Sequence, residues 1–187
     1  MNIDLYRLSD RVDWDNFVSH AKNSHFMFHR DYMEYHAEKF TDFSLMARND
    51  KGEVIGILPA NLSNRTLHSH QGLSFGGLCI KKNVTMSMVL DVFNSIICFL
   101  KSTNLVDDFI YKRLPDLYTN YPSQEDLYAL FKLGAELYRR DVSSAIDLYQ
   151  PLPISSMRIR HVRKAVKNNV LFGEEENLSE FWNLLTE

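Results

Sequence analysis

The chain has 187 residues, and its 21 Lys and Arg against 24 Asp and Glu give a formal net charge of −3. No global basic field therefore advertises nucleic acid or an anionic membrane as a partner. Twelve Phe and nine Tyr against five Pro exclude a disordered chain and supply enough apolar bulk for a real core.

The amino terminus, Met1-Asn2-Ile3-Asp4, lacks the basic stretch and apolar run of a secretory signal. Residues 3–8 alternate apolar and polar, as a short first strand does. Asp13 can cap a helix in which Trp14, Phe17, Val18 and Ala21 share one face. Asp31 can cap a second helix running through Met33, Ala37 and Phe40. Two strands, 43–47 and 54–58, follow, joined by Asn49-Asp50-Lys51-Gly52, whose residue types suit a hairpin turn. A longer β segment is predicted over 66–80, punctuated by Gly72, Gly76 and Gly77.

Thr85 caps the clearest helix, with Met88, Val89, Val92, Phe93, Ile96, Ile97 and Leu100 as its apolar stripe. Ser87, Asp91, Asn94 and Ser95 interrupt this segment, which is also shorter than the ~20 apolar residues of a membrane span. A cytoplasmic protein without a membrane span is the expectation. Residues 109–114 read as a strand ended by Pro115. Ser123 and Asp126 open a helix through Leu127, Leu130 and Phe131, which Gly134 closes. Residues 136–148 read as one or two strands, and Pro151 and Pro153 mark a break. This order predicts an α/β fold, a mixed β-sheet flanked by helices, over residues 1–150. Cys79 and Cys98 lie in apolar surroundings and read as buried free thiols, spaced neither for zinc nor for a disulfide scaffold.

Beyond the prolines, Ser155 or Ser156 can cap a basic helix carrying Arg158, Arg160, Arg163, Lys164 and Lys167. A short strand at 170–172, an acidic turn at 174–176 and a capping box of Asn177 with Glu180 follow. The last helix holds Phe181 and Trp182, and no later element covers them in this sequence. Residues 151–187 are therefore read as a connecting helix and the start of a truncated second half.

Three stretches carry a resemblance. The first is 26–36, opening Phe26-Met27-Phe28-His29-Arg30, followed by Leu58-Pro59-Ala60-Asn61 on a strand. The second is Ser69-His70-Gln71-Gly72-Leu73-Ser74-Phe75-Gly76-Gly77-Leu78, and the third is the basic helix 158–167 with the Phe181-Trp182 helix after it. Together they resemble the N-terminal half of tandem GNAT-like proteins related to the Fem aminoacyl transferases of peptidoglycan-bridge synthesis. The resemblance implies an N-acyltransferase that acylates an amine on a sugar or cell-wall precursor of a bacterial-type envelope. It implies acetyl-CoA or another acyl donor, a charged transfer RNA included, bound by the second half and so outside this chain. A second GNAT-like half, or another copy, would be the partner. The Gln/Arg-x-x-Gly-x-Gly/Ala loop by which acetyl-CoA-binding relatives hold a pyrophosphate is missing, since Gln71 to Gly77 has the residue types at the wrong spacing.

Candidate site residues follow from these stretches. If 66–80 is extended, His68 and His70 share a face. Structural hydrogen bonding, substrate contact with Gln71, or catalysis with His70 as general base on an amine are the readings this pair leaves open. No third ligand is placed for a metal. Gly76 and Gly77 allow a bulge or a close backbone approach, and the resemblance implies that they border the substrate cleft. Arg139, within a predicted strand beside Arg140, can grip a phosphate or carboxylate or be an ordinary surface charge. The basic helix can be a solvated face or an RNA contact, and the resemblance adds Arg158, Arg163 and Lys164 as binders of a nucleotide-sugar phosphate. Phe26, Phe28, Tyr32 and Tyr35, with His29 and His36, read as core or as the wall of a sugar or peptide pocket.

Overall fold

The computed structural model describes residues 1–173 and 178–186, without the side chain of His36. It divides into two compact units, Met1–Leu137 and Tyr138–Glu187. The acidic turn expected at 174–176 and the cap expected at Asn177 lie outside the described residues.

In the first unit, strand β1 (Asn2–Leu5) leads to helix α1 (Arg11–His20), which starts one turn earlier than Asp13 implied. The second predicted helix is short: α2 covers Arg30–Met33 and continues as a 3₁₀ turn over Glu34–Lys39. Its opening Arg30 N–H donates to the carboxylate of Asp15 at 2.8 Å, so the cap comes from α1 and not from Asp31. Then come β2 (Thr41–Asp42), β3 (Leu45–Arg48), β4 (Val54–Leu58), β5 (Asn61–Ser63), β6 (Thr66–His68) and β7 (Cys79–Ile80). In the β3–β4 turn, Asn49 Oδ1 accepts from the N–H groups of Lys51 and Glu53, the side-chain turn its residue type favours.

Helix α3 (Met86–Thr103) is capped by Thr85, whose hydroxyl accepts from Met88 N–H, and its Val89, Val92, Phe93, Ile96 and Leu100 are buried. It is long and apolar enough to cross a membrane by length and composition, yet that stripe packs into the core of this unit. Strand β8 (Asp108–Ile110) and helix α4 (Glu125–Lys132) complete the unit. Gln124 precedes α4, and Ser123 hydrogen-bonds Glu125 instead of capping a backbone N–H.

Two four-stranded sheets result, with orders β1-β3-β4-β7 and β2-β5-β6-β8. All pairings are antiparallel except β6 with β8. Alternation along β3, with a register shift against β4 at Ala47 and Arg48, explains the layers. Leu45, Ala47, Ile55, Leu58 and Ile80 pack with α3, whereas Met46, Val54, Ile57 and Cys79 pack with Trp14, Phe17 and Val18 of α1 and Met33 of α2. The fold is thus mixed α/β, with two sheets flanked by helices. Cys79 is buried as expected, and burial pushes its thiol up, but Cys98 faces outward on α3 and is exposed.

The second unit contains α5 (Ser156–Lys167) and α6 (Ser179–Thr186). Ser155 caps α5, accepting from Arg158 N–H at 3.4 Å. No strand forms over 136–148 or 170–172, so the strands predicted there are corrected. Alternation marks a strand only where a neighbouring edge completes its ladder.

Candidate active site at the junction of the two sheets

Three consecutive stretches of chain each pass from one sheet to the other. The breaks fall at Phe43 and Ser44 between β2 and β3, at Pro59 and Ala60 between β4 and β5, and at residues 69–78 between β6 and β7. A broken ladder leaves backbone groups without their usual partners, and polar side chains take over. Ser44 does so at the first two breaks: its hydroxyl accepts from Ala60 N–H at 3.2 Å and donates to Ala60 O at 3.3 Å. Asn61 does so at the third, donating to Gln71 Oε1 and accepting from Gln71 N–H, both at 2.8 Å. Ser69 joins Lys112, accepting from its N–H at 2.5 Å and donating to its carbonyl at 2.9 Å. Arg30, Ser44, Asn61, Ser69 and His70 are all buried, so the junction is a polar seam in an apolar interior.

The long β segment predicted over 66–80 is strand only at its two ends. After His68 the chain leaves the sheet, and His70 takes a φ of +64°. His is among the non-glycine residues enriched there, though still uncommon. Consequently His68 and His70 do not alternate along one extended strand, and the shared face drawn from that assumption is corrected. His68 closes β6 opposite Asn61, half-buried, with its pKa lowered by burial and then by Lys112. The His70 ring is only 5% exposed and lies 5.4 Å from the Phe40 ring, with Nδ1 buried and unpartnered. Burial lowers its pKa to about 4; Asp42 pulls it up, while Lys112 and Arg30 push it further down. It is therefore a neutral imidazole at neutral pH.

Gly76 and Gly77 are close-approach positions. A Cβ on Gly76 would stand 1.8 Å from Ser69 O, and one on Gly77, at φ +98°, would stand 2.9 Å from the Tyr111 hydroxyl. That hydroxyl accepts from Leu78 N–H at 2.8 Å and donates to Asp126 at 3.1 Å. Lys112 Nζ donates to the carbonyls of His70 at 3.1 Å and Leu73 at 2.5 Å, holding the segment's first half as Tyr111 holds its end.

The junction thus gathers His68, His70, Gln71, Gly76 and Gly77 on one segment. Arg139 lies in the second unit, outside any strand, and pairs with Asp141 at 2.9 Å. Arg158, Arg163 and Lys164 lie on α5 of that unit. Sequence reasoning passed over Arg30, Asp42, Lys112, Tyr111 and Asp126. The Arg30 guanidinium donates to Asp42 at 2.7 Å and stacks on the rings of Tyr6 (3.3 Å) and Trp14 (3.9 Å). A signal was present: an arginine within an aromatic-rich stretch must bring its own partners into the interior. Tyr111 and Lys112 act on residues 33 and 42 positions earlier, which no local pattern reports.

Two surface clefts lie elsewhere. One, of about 400 Å³, is lined by Ser19, His20, Lys22, Lys82, Asn120 and Tyr121 among others, and another of about 340 Å³ borders Asn49 and Asp91. Neither contains a side chain of the junction, and chemistry, not volume, places the candidate site. Among the described residues no group of His, Cys, Asp and Glu is arranged to hold a metal ion.

No protein-family model matches the chain, and no curated protein matches it significantly. Among solved structures it is similar to the apo aminoglycoside antibiotic 6′-N-acetyltransferase AAC(6′)-IG from Acinetobacter haemolyticus, at 17% identity and a TM-score of 0.45, over 79% of this chain and 99% of that one. It is also similar to AAC(6′)-Ih from Acinetobacter baumannii, at 17% identity and a TM-score of 0.46, over 79% and 98%. A likeness of this degree assigns no family, reaction or ligand to this chain.

Proposed function

We propose that this chain is the acceptor-side, GNAT-like domain of a Fem-related N-acyltransferase that acylates an amine on a sugar or cell-wall precursor. The observation that carries the reading is the sheet junction, where a neutral imidazole and a close-packed glycine pair sit on the very segment whose sequence resembles that family. Acyl transfer to an amine needs a positioned amine, a base for its proton and donors for the oxyanion. In this proposal His70 is the base, uncharged throughout the physiological range, and the 71–77 backbone borders the reacting carbonyl. His68 and Gln71 contact the acceptor; Arg139, Arg158, Arg163 and Lys164, all of the second unit, are phosphate-binding candidates on the family resemblance alone. The donor, acetyl-CoA, another thioester or a charged transfer RNA, binds outside this chain, on a second GNAT-like half or another copy.

Calorimetric titration with acetyl-CoA tests the division of labour. Binding by the complete gene product but not by these 187 residues supports it; binding by the 187 residues alone places a donor site in this domain and overturns it. A second reading, a non-catalytic binding module on a degenerate GNAT fold, is favoured by the burial of His70, since the ring must be uncovered before an amine reaches it. Sedimentation separates the two, because a docking module self-associates or binds its partner without turning over a thioester.

A further inference from the structure

One feature of the surface is left unused by this chemistry. Five aromatic side chains form a connected series. The His25 ring lies 4.5 Å from Phe26, 5.8 Å from Phe75 and 5.5 Å from Tyr118, between centroids. Phe26 reaches Tyr32 at 5.4 Å, and Phe75 reaches Tyr118 at 5.0 Å. Core packing accounts for one side of the series, where Phe75 rests on the cluster around Trp14 and Phe28. It does not account for the other: Phe26 is 62% exposed, Tyr32 48% and Tyr118 42%. Four separate segments bring these rings together, which a chance surface residue does not require.

The polar groups carried by the series itself are uncharged. His25 Nδ1 accepts from Met27 N–H at 3.5 Å, which puts the ring proton on Nε2 as a donor. Burial holds that imidazole below its ordinary pKa, so it stays neutral. The phenol hydroxyls of Tyr32 and Tyr118 make no hydrogen bond among the described residues, and each can donate or accept. Apolar ring faces bordered by neutral donors and acceptors match a ligand with a C–H face and hydroxyl edges. A sugar ring has that form. A nucleotide phosphate or a peptide carboxylate would find no opposite charge on any of the five side chains. Phe75 lies between His70 and Gly76 in sequence, so the series abuts the segment that carries the candidate base.

We propose that this aromatic surface is the acceptor platform, taking the C–H face of an amino-hexose whose amine is presented to the junction. The sugar ring is read from the aromatic series, and the acceptor role and the amine rest on the acyltransferase proposal. Saturation-transfer NMR on the intact chain tests it, with glucosamine and its β-1,4-linked dimer as probes and uridine and N-acetylphenylalaninamide as comparators. The expected result is saturation of the sugar C–H protons, with Phe26→Ser and Tyr118→Ser each weakening binding about tenfold. Both side chains are exposed, and an unchanged amide spectrum verifies that each variant is folded. No sugar binding, sugar binding indifferent to both substitutions, or preference for uridine or the peptide amide overturns the platform. The two proposals fail separately: acyl transfer without sugar binding removes the platform alone, and ring-dependent sugar binding without transfer removes the acyltransferase alone.

Discussion

Two polar clusters lie at the ends of the glycine-rich segment, and they are built differently. At the far end, Gly77 packs on Tyr111, whose hydroxyl bridges Leu78 N–H and Asp126, while Arg113 binds Asp126, Asp116 and the Ser123 carbonyl. No buried side-chain atom of that network lacks a partner among the described residues. Burial raises the Asp126 carboxyl against the pull of Arg113, and burial with Asp126 nearby pushes the Tyr111 phenol well up. At the near end stand Tyr6, Arg30, Asp42 and His70. The buried side-chain atoms without a partner among the described residues are all there: Tyr6 Oη, Arg30 Nε and Nη2, and His70 Nδ1. A fully satisfied buried network specifies structure, whereas unsatisfied buried groups are a cost that folds tolerate where function needs them. The far cluster reads as scaffold and the near cluster as the part kept for chemistry.

That contrast can be broken in several places. The largest effect is expected at Gly76→Ala, where the added methyl meets the Ser69 carbonyl and neither backbone can yield cheaply; a loss of about 3 kcal/mol or more by urea unfolding is expected. A loss below about 1 kcal/mol would mean that the segment relaxes freely and is not held at both ends.

Next is the pH dependence of His70. Its folded pKa is depressed to about 4 from 6.5, so the unfolded chain takes up a proton that the folded chain refuses. The stabilisation is fully present above pH 6.5 and is lost as pH falls towards 4, about 3 kcal/mol in all. His70→Gln should flatten that slope, and an unchanged slope would show that the ring is hydrated and ordinary.

Tyr111→Phe comes third. It strands Leu78 N–H and removes a donor from Asp126, at about 2 kcal/mol, with no change in the His70 titration. Smallest is Arg30→Met. Replacing a guanidinium with two unpartnered donors by a side chain of similar volume should shift stability by no more than about 1 kcal/mol. A loss of about 3 kcal/mol would make Arg30 scaffold and erase the distinction between the two clusters.

Much of the scaffold was readable from residue patterns. Periodicity placed α1, α3 and α4, and the Asn-Asp-Lys-Gly turn placed the β3–β4 hairpin. Patterns failed where distant contacts decide. Residues 69–78 carry the composition of a strand, but Ser69 bonds Lys112 forty-three positions later and His70 turns out of the ladder. The glycine pair and both histidines were visible as candidates. Lys112 was not, because its partners lie about forty positions earlier, and the aromatic neighbours that signalled Arg30 do not by themselves say that it is buried.

The most direct test of the account is the acyl-transfer rate from acetyl-CoA to glucosamine by the complete gene product, compared with its His70→Ala variant. The account predicts transfer by the parent protein and a fall of about a hundredfold in the variant, the contribution typical of a lost general base. Equal rates would remove His70 from catalysis, and no transfer by the parent with any thioester or charged transfer RNA would contradict the acyltransferase reading itself.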